Sequence, residues 1–247
     1  MSKFNHDFDA ALKKVRNRPK KTSPFREQLK RNRAEELCHL VKRFPRQSAQ
    51  SNELMDTAAS LTRNGDAHLI LEAIEYMFKS EPSFLTYNRH FGFALEALSQ
   101  HGLNSRVKEI LKQSIRDYPQ NIAANASMGA IFDSLIDKGH INTVAKMVSK
   151  LAVMAPEILA SNPGAGWAIS HLIESDKPLE GVNAFIVLSK LHPVAFSMNS
   201  TVDRAISSVE KLDLNSMLGA SKGDYVGTLI NNLRCLQQSP PVLGFGK

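Results

Sequence analysis

The sequence predicts an all-α chain built of stacked repeats, on three observations. Prolines stand at Pro45, Pro82, Pro119, Pro156 and Pro193, each 37 residues after the last. Glycines keep the same interval at Gly65, Gly102 and Gly139, and Asp176 and Asp213 then take the equivalent place. Six residues beyond each proline comes Ser51, Asn88, Asn125, Asn162 or Asn199. Three columns sharing one period mark a repeat protein, in which a short unit buries its apolar face only against its neighbours.

Within a repeat the apolar spacing predicts two helices. Met128, Ile131, Phe132, Leu135 and Ile136 fall at steps of three and four, as one buried helical face requires. Gly139 then suits a left-handed helix end, and Ile141, Val144, Met147, Val148 and Leu151 form a second series that closes at Pro156. The preceding repeat does the same with Phe91, Leu95 and Leu98, then Gly102, then Val107, Ile110, Leu111 and Ile115. Strand-type alternation is missing, and so are hairpin turn pairs between apolar runs. Aromatic residues make up 7% of the chain with one tryptophan, Trp167, so the core is expected to be aliphatic.

The ends depart from the pattern, as capping units do. Residues 1–23 are expected as a basic, flexible arm and 24–45 as an N-terminal capping helix that opens at Ser23-Pro24. That helix would carry Phe25, Leu29, Leu37, Leu40, Val41 and Phe44 on one side. The repeats are expected over 46–218. Gly219, Gly223 and Gly227 interrupt the beat, and 219–238 is expected as a C-terminal capping helix whose amphipathic part runs at about 224–237. A tail, 239–247, holds Pro240-Pro241 and reads as extended.

Charge is concentrated at one end. The chain carries +7 overall, whereas residues 1–46 hold 14 Lys/Arg against 5 Asp/Glu, a net of +9, and the remainder sums to −2. Lys13, Lys14, Arg16, Arg18, Lys20, Lys21, Arg26, Lys30, Arg31 and Arg33 are therefore the candidates for attracting nucleic acid or an acidic surface. Arg89, Arg106, Lys108, Lys112 and Arg116 make a smaller basic cluster in the repeats. No apolar run is long enough to span a membrane. The first residues lack a secretory h-region and carry Asp7 and Asp9, so the expected location is the cytoplasm. Cys38 and Cys235 are too few for a disulfide framework or a cysteine-based zinc site.

The unit resembles the tetratricopeptide repeat, in which a proline ends the unit and a small residue follows ten positions later. Here Gly92, Gly129 and Gly166 stand ten after Pro82, Pro119 and Pro156, followed three residues on by Leu95, Phe132 and Ile169. The resemblance covers roughly residues 46–230. It departs from the family in a unit longer by about three residues, in asparagine where the family has tryptophan, and in weak alanine columns. The pentatricopeptide class, which reads single-stranded RNA, is the nearest rival through Thr86-Tyr87-Asn88, but its unit length differs. The tetratricopeptide resemblance implies an α-solenoid with a curved groove that binds protein segments.

The asparagine column admits three readings. Asparagine is a preferred N-cap, and Asn162-Pro163 has the form of a cap followed by proline at the first helical position. Apolar neighbours three residues away also place the column on a buried face, where amides would satisfy backbone groups between units. Alternatively Asn88, Asn125, Asn162 and Asn199 could form a binding row for a protein partner, or read bases.

Motifs with catalytic meaning lack their context. Gly219-Ala220-Ser221-Lys222-Gly223 spells a nucleophile elbow, but no strand precedes it and no histidine lies after His192. Gly164-Ala165-Gly166 lacks a third glycine and a βαβ setting; those glycines are expected to allow close helix packing beside Trp167. The eight histidines show no paired-ligand spacing. The sequence therefore leads to a non-enzymatic scaffold or adaptor with no cofactor, binding a protein partner in its groove. The alternative is an RNA- or DNA-binding repeat protein whose basic arm contacts phosphates.

Overall fold

The structure is a computed structural model that describes residues 3–16 and 26–238. Among the described residues it holds eighteen α-helices and no strand. The chain divides into two compact halves, Met1–Ser134 and Leu135–Lys247. The first contains α1 (Lys3–Arg16), α2 (Arg26–Arg43), α3 (Pro45–Gln50), α4 (Asn52–Asn64), α5 (Ala67–Ser80), α6 (Pro82–Tyr87), α7 (Phe91–Gln100), α8 (Asn104–Asp117) and α9 (Pro119–Ala124). Helix α10 (Met128–Asp137) carries the chain into the second. That half contains α11 (Ile141–Met154), α12 (Pro156–Ser161), α13 (Pro163–Ile173), α14 (Pro178–Leu191), α15 (Pro193–Ser197), α16 (Val202–Glu210), α17 (Leu214–Leu218) and α18 (Ala220–Gln238).

Each full repeat has three helices where two were expected, and both breaks have a local cause. The residues preceding the five prolines (Phe44, Glu81, Tyr118, Ala155 and His192) share φ between −135° and −147° with ψ between 51° and 61°. A proline ring pushes its predecessor out of the helical region. Proline itself then sits in the first turn of a new helix, where a missing N–H leaves nothing unpaired. That helix lasts one or two turns. Ser51, Asn88, Asn125 and Asn162 next adopt extended ψ of 105–122°, which splits the expected first helix into a short piece and a longer one.

Like elements pack on like elements within each half. In the first, α3 lies against α6, α6 against α9 and α4 against α7; in the second, α12 meets α15, α13 meets α16 and α11 meets α14. The core is mainly aliphatic, with Leu54, Ile70, Ile74, Leu85 and Leu95 inaccessible to solvent in the first half. Phe185 and Phe196 meet edge-to-face at 5.7 Å in the second. Gly102 and Gly139 hold positive φ of 84° and 77°, the left-handed turn that a side chain resists.

The N-terminal reading needs correction. Residues 3–16 form helix α1, which buries Phe8, Leu12 and Val15 and sets Phe8 edge-on to Phe44 at 6.1 Å. Its end is tied down by Arg33, whose Nε and Nη2 donate to the carbonyls of Val15 and Arg16 at 2.6 and 3.2 Å. These are the carbonyls a helix end leaves without intrahelical partners. Residues 17–25, with the expected Ser23-Pro24 start of the capping helix, lie outside the described residues. Leu12→Ala is expected to weaken the docking of α1 by about 2–5 kcal/mol, the usual loss for a buried leucine. Hydrogen exchange over residues 7–16 should rise in that variant while exchange in α13 stays unchanged.

The three glycines of the C-terminal end play different parts. Gly219, at φ 83°, separates α17 from α18, but Gly223 and Gly227 lie inside α18, which begins at Ala220. The absence of a side chain at Gly223 lets α18 approach α17, since a Cβ there would stand 3.1 Å from the Asn215 side-chain carbon. Both cysteines are free thiols. Cys38 is buried and donates to the Leu69 carbonyl at 3.1 Å; burial first, then the nearby Glu72 carboxylate, pushes its pKa up. No described helix is long and apolar enough to cross a membrane.

Candidate partner-binding face

The longer helix that follows each break presents the candidate site. Asp56, Phe93, Trp167 and Arg204 each stand eleven residues after a column proline, so one helical position recurs with different chemistry. In the second half, α13 and α16 bring Trp167 and Arg204 together, with the guanidinium carbon 3.8 Å from the ring centroid. Trp167 remains 42% exposed. The guanidinium lies over one face of the indole in an attractive cation–π contact.

A polar chain runs from that pair along both helices. Arg204 Nε donates to the Ser170 hydroxyl at 3.2 Å, the Ser170 and Ser208 hydroxyls lie 2.8 Å apart, and Ser208 donates to Glu174 at 2.7 Å. Lys211 approaches the same carboxylate at 3.8 Å. The Ser208 hydrogen bond, then Lys211 and Arg204, hold the Glu174 carboxyl below its ordinary pKa against the opposing effect of partial burial. Ser208→Ala is therefore expected to raise the pKa of Glu174, read by a side-chain NMR titration. The sign for stability follows: with a depressed folded pKa, the interaction is present above the unfolded carboxyl pKa and is lost as pH falls through the folded one.

The first half carries a related cluster. His90 Nδ1 lies 2.6 Å from the Asp56 carboxylate, and its ring meets Phe93 edge-on at 5.8 Å. Phe93 is 38% exposed, and Arg63 stands 3.8 Å from Glu96 one turn further along.

The asparagines lie elsewhere. Asn88, Asn125, Asn162 and Asn199 are only 4–6% exposed. Asn88 Nδ2 donates to the Ala49 carbonyl, Asn125 to those of Thr86 and Asn88, and Asn199 to those of Ala160 and Asn162. Two of these bonds join residues 37 positions apart, which is the sequence period written as a contact. Their Oδ1 atoms accept from the N–H two residues on, at His90, Ser127, Gly164 and Thr201. Capping and polar satisfaction are thus performed by the same side chain, and the column faces the joint between repeats instead of forming a surface row.

The basic residues are partly occupied. Lys14 pairs with Glu36 at 3.2 Å, Arg16 pairs with Glu53, and Arg33 holds the end of α1. Lys13 and Arg16 border a cavity of about 680 Å³ that Asp9 and Glu53 also line, so its charge is mixed. Arg18, Lys20 and Lys21 lie outside the described residues; Arg26, Lys30 and Arg31 fall on α2. In the repeats, Arg106 pairs with Glu75 and Glu109, and Arg116 with Asp117.

The close approach of α7 to Ser127 and of α13 to Thr201 depends on Gly92 and Gly166. A Cβ on Gly92 would stand 2.5 Å from the Ser127 carbonyl carbon and nearer still to its oxygen. One on Gly166 would stand 2.8 Å from the Thr201 carbonyl oxygen. Sequence reading anticipated the glycines but missed Phe93, Trp167 and Arg204 as a set. The available signal was a column in phase with the repeat that does not keep its residue type.

Fold and site together define, among the described residues, an all-helical protein compatible with a helical-repeat architecture, with Trp167 under Arg204 in one half and Phe93 against His90 in the other. The chain matches no family model, no curated protein and no solved structure.

Proposed function

We propose that this chain is a non-enzymatic helical-repeat scaffold, its units stacked in tetratricopeptide-like fashion, that binds a protein segment through the longer helices. The observation that carries this reading is the exposed Trp167 stacked on Arg204. Tryptophan and arginine are the residues most enriched at energetic centres of protein interfaces. The hydroxyls, carboxylate and ammonium beside them supply the polar surroundings such centres have. Catalysis is disfavoured by the same groups: Ser208 donates to a carboxylate of lowered pKa, which is a poor general base near neutrality. A cytoplasmic setting suits two unpaired cysteines.

The nucleic-acid reading rests on the +9 charge of residues 1–46. It is weakened by the carboxylates already paired with Lys14 and Arg16. A pull-down with and without nuclease separates the two. Association that survives nuclease and falls by about 30-fold in affinity with Trp167→Ala or Arg204→Ala supports the scaffold, since interface centres contribute about 2 kcal/mol or more. Association abolished by nuclease, with oligonucleotide affinity that drops steeply as salt rises, would establish the nucleic-acid reading instead.

A further inference from the structure

The outer face of α14 departs from the chemistry of the equivalent helix two repeats earlier. At about 100° per residue, Leu179, Glu180, Ile186, Val187, Lys190 and Leu191 fall within an arc of about 140°. The middle of that arc lies opposite Phe185, which is inaccessible to solvent in the core. Leu179 and Leu191 are 43% and 54% exposed, and Ile186 and Val187 are half-buried. On α8 the four apolar positions are held by Ser105, Lys112, Gln113 and Asp117. A helix face turned to water is ordinarily polar in this way, whereas an exposed apolar stripe rimmed by charge marks an interaction surface. Two charges bracket the stripe on α14. Glu180 stands in the first turn and Lys190 in the last, both exposed, and neither side chain has an ion-pair partner among the described residues.

The stripe is symmetric about its midpoint. Leu179 and Leu191 are centred on position 185, and so are Glu180 and Lys190. We propose that α14 is the seam of a homodimer, packed antiparallel on α14 of a second copy about a two-fold axis level with Phe185. In such a contact residue i meets residue j while j meets i. Glu180 then faces the partner's Lys190 at both ends, Leu179 faces the partner's Leu191, and Ile186 and Val187 fill the middle. Antiparallel pairing also sets oppositely directed helix dipoles side by side. A parallel pairing would lay like charges on each other at both ends. An anionic lipid surface would attract Lys190 and repel Glu180, so the self-complementary charge selects a second copy. The fourteen residues of α14 span about 21 Å. So short a seam is expected to associate in about the micromolar range. This face is not that of Trp167, so the inference does not rest on the scaffold reading.

Sedimentation equilibrium of the full chain from about 1 to about 200 μM tests this. The parent should pass from monomer to dimer across that range. Glu180→Lys and Lys190→Glu, each alone, turn two attractions into repulsions and should weaken dimerisation about tenfold. Combining both reversals in one chain should restore it. An equimolar mixture of the two single variants gives the sharpest reading. Both ends are then complementary only between unlike chains, so the mixture should dimerise more tightly than either component. That preference should shrink as salt rises. If the charges served only to complement the dipole of their own helix, the reversals would alter stability and create no preference between unlike chains. Leu191→Ser should weaken association about tenfold, since it removes apolar contact at both ends of the seam, and leave far-ultraviolet circular dichroism unchanged. A parent that stays monomeric throughout the range would overturn the proposal. So would a dimer that neither reversal weakens, or a mixture no tighter than its components. No other partner enters these measurements, so failure here leaves the scaffold reading standing, and failure of that reading leaves the dimer standing.

Discussion

Asn199→Asp is expected to destabilise the protein by about 3–5 kcal/mol at neutral pH, the scale for an uncompensated buried charge. The amide nitrogen of Asn199 donates to two carbonyls of the preceding repeat, at 2.8 Å for Ala160 and 2.7 Å for Asn162. Its oxygen accepts from the Thr201 N–H and hydroxyl at 3.0 and 2.9 Å. Aspartate keeps the acceptor and is as good an N-cap as asparagine, so a residue that served only as a cap would tolerate the change. Here the new carboxylate would face two carbonyl oxygens in a site that is 4% exposed. Burial and those oxygens disfavour the charged form and raise the folded pKa above about 3.9, the unfolded value. The variant's deficit should accordingly narrow as pH falls from neutrality toward that value. Asn199→Ala removes both functions and should cost about 2–4 kcal/mol with little pH dependence, because it strands buried polar groups without adding charge. Urea midpoints at several pH values, with unchanged slope, measure all of this. A loss below 1 kcal/mol for aspartate would show that the donor bonds between repeats contribute little.

Gly92→Ala and Gly227→Ala should move stability in opposite directions. Both are helical glycines, for which alanine is intrinsically better by about 1 kcal/mol. At Gly227 nothing lies within 4 Å of the added carbon, so the propensity gain stands and Tm should rise. At Gly92 the added carbon would meet the Ser127 backbone at 2.5 Å or less. No rotamer relieves a backbone clash; α7 must withdraw, which also stretches the 2.9 Å bond from the Gly92 N–H to the Ser127 hydroxyl. Overpacking of this kind costs about 1–3 kcal/mol, and the strained bond adds about 1 kcal/mol. Thermal melts of the two variants beside the parent decide the matter, and a stabilised Gly92→Ala would mean the helices separate freely.

These effects mark how far residues alone could be read. The prolines and glycines were legible because their backbone consequences are local: a pyrrolidine ring excludes the helix before it, and a left-handed turn at Gly102 or Gly139 repels a Cβ. The asparagine column was legible as important but ambiguous. Capping is local, whereas donation to a carbonyl 37 residues away depends on which repeats meet. Helix α1 was concealed by its charge. Lys13, Lys14 and Arg16 suggested a solvated arm, yet Phe8, Leu12 and Val15 supply a buried stripe between them. Gly223 suggested a break, while contact with Asn215 makes the same absence of side chain favour a continuous helix.

The amino-acid order by itself determined the all-helical class, the 37-residue beat and the turns at the column prolines and at Gly102 and Gly139. Those follow from short-range sterics and from apolar spacing, which act within a few residues. Only the tertiary structure decided that the asparagines face inward and that Trp167 lies against Arg204 on the surface. The arrangement of a side chain with a partner 37 residues away depends on how one repeat is set on the next. That setting comes from the packing of whole helices, which no single residue specifies.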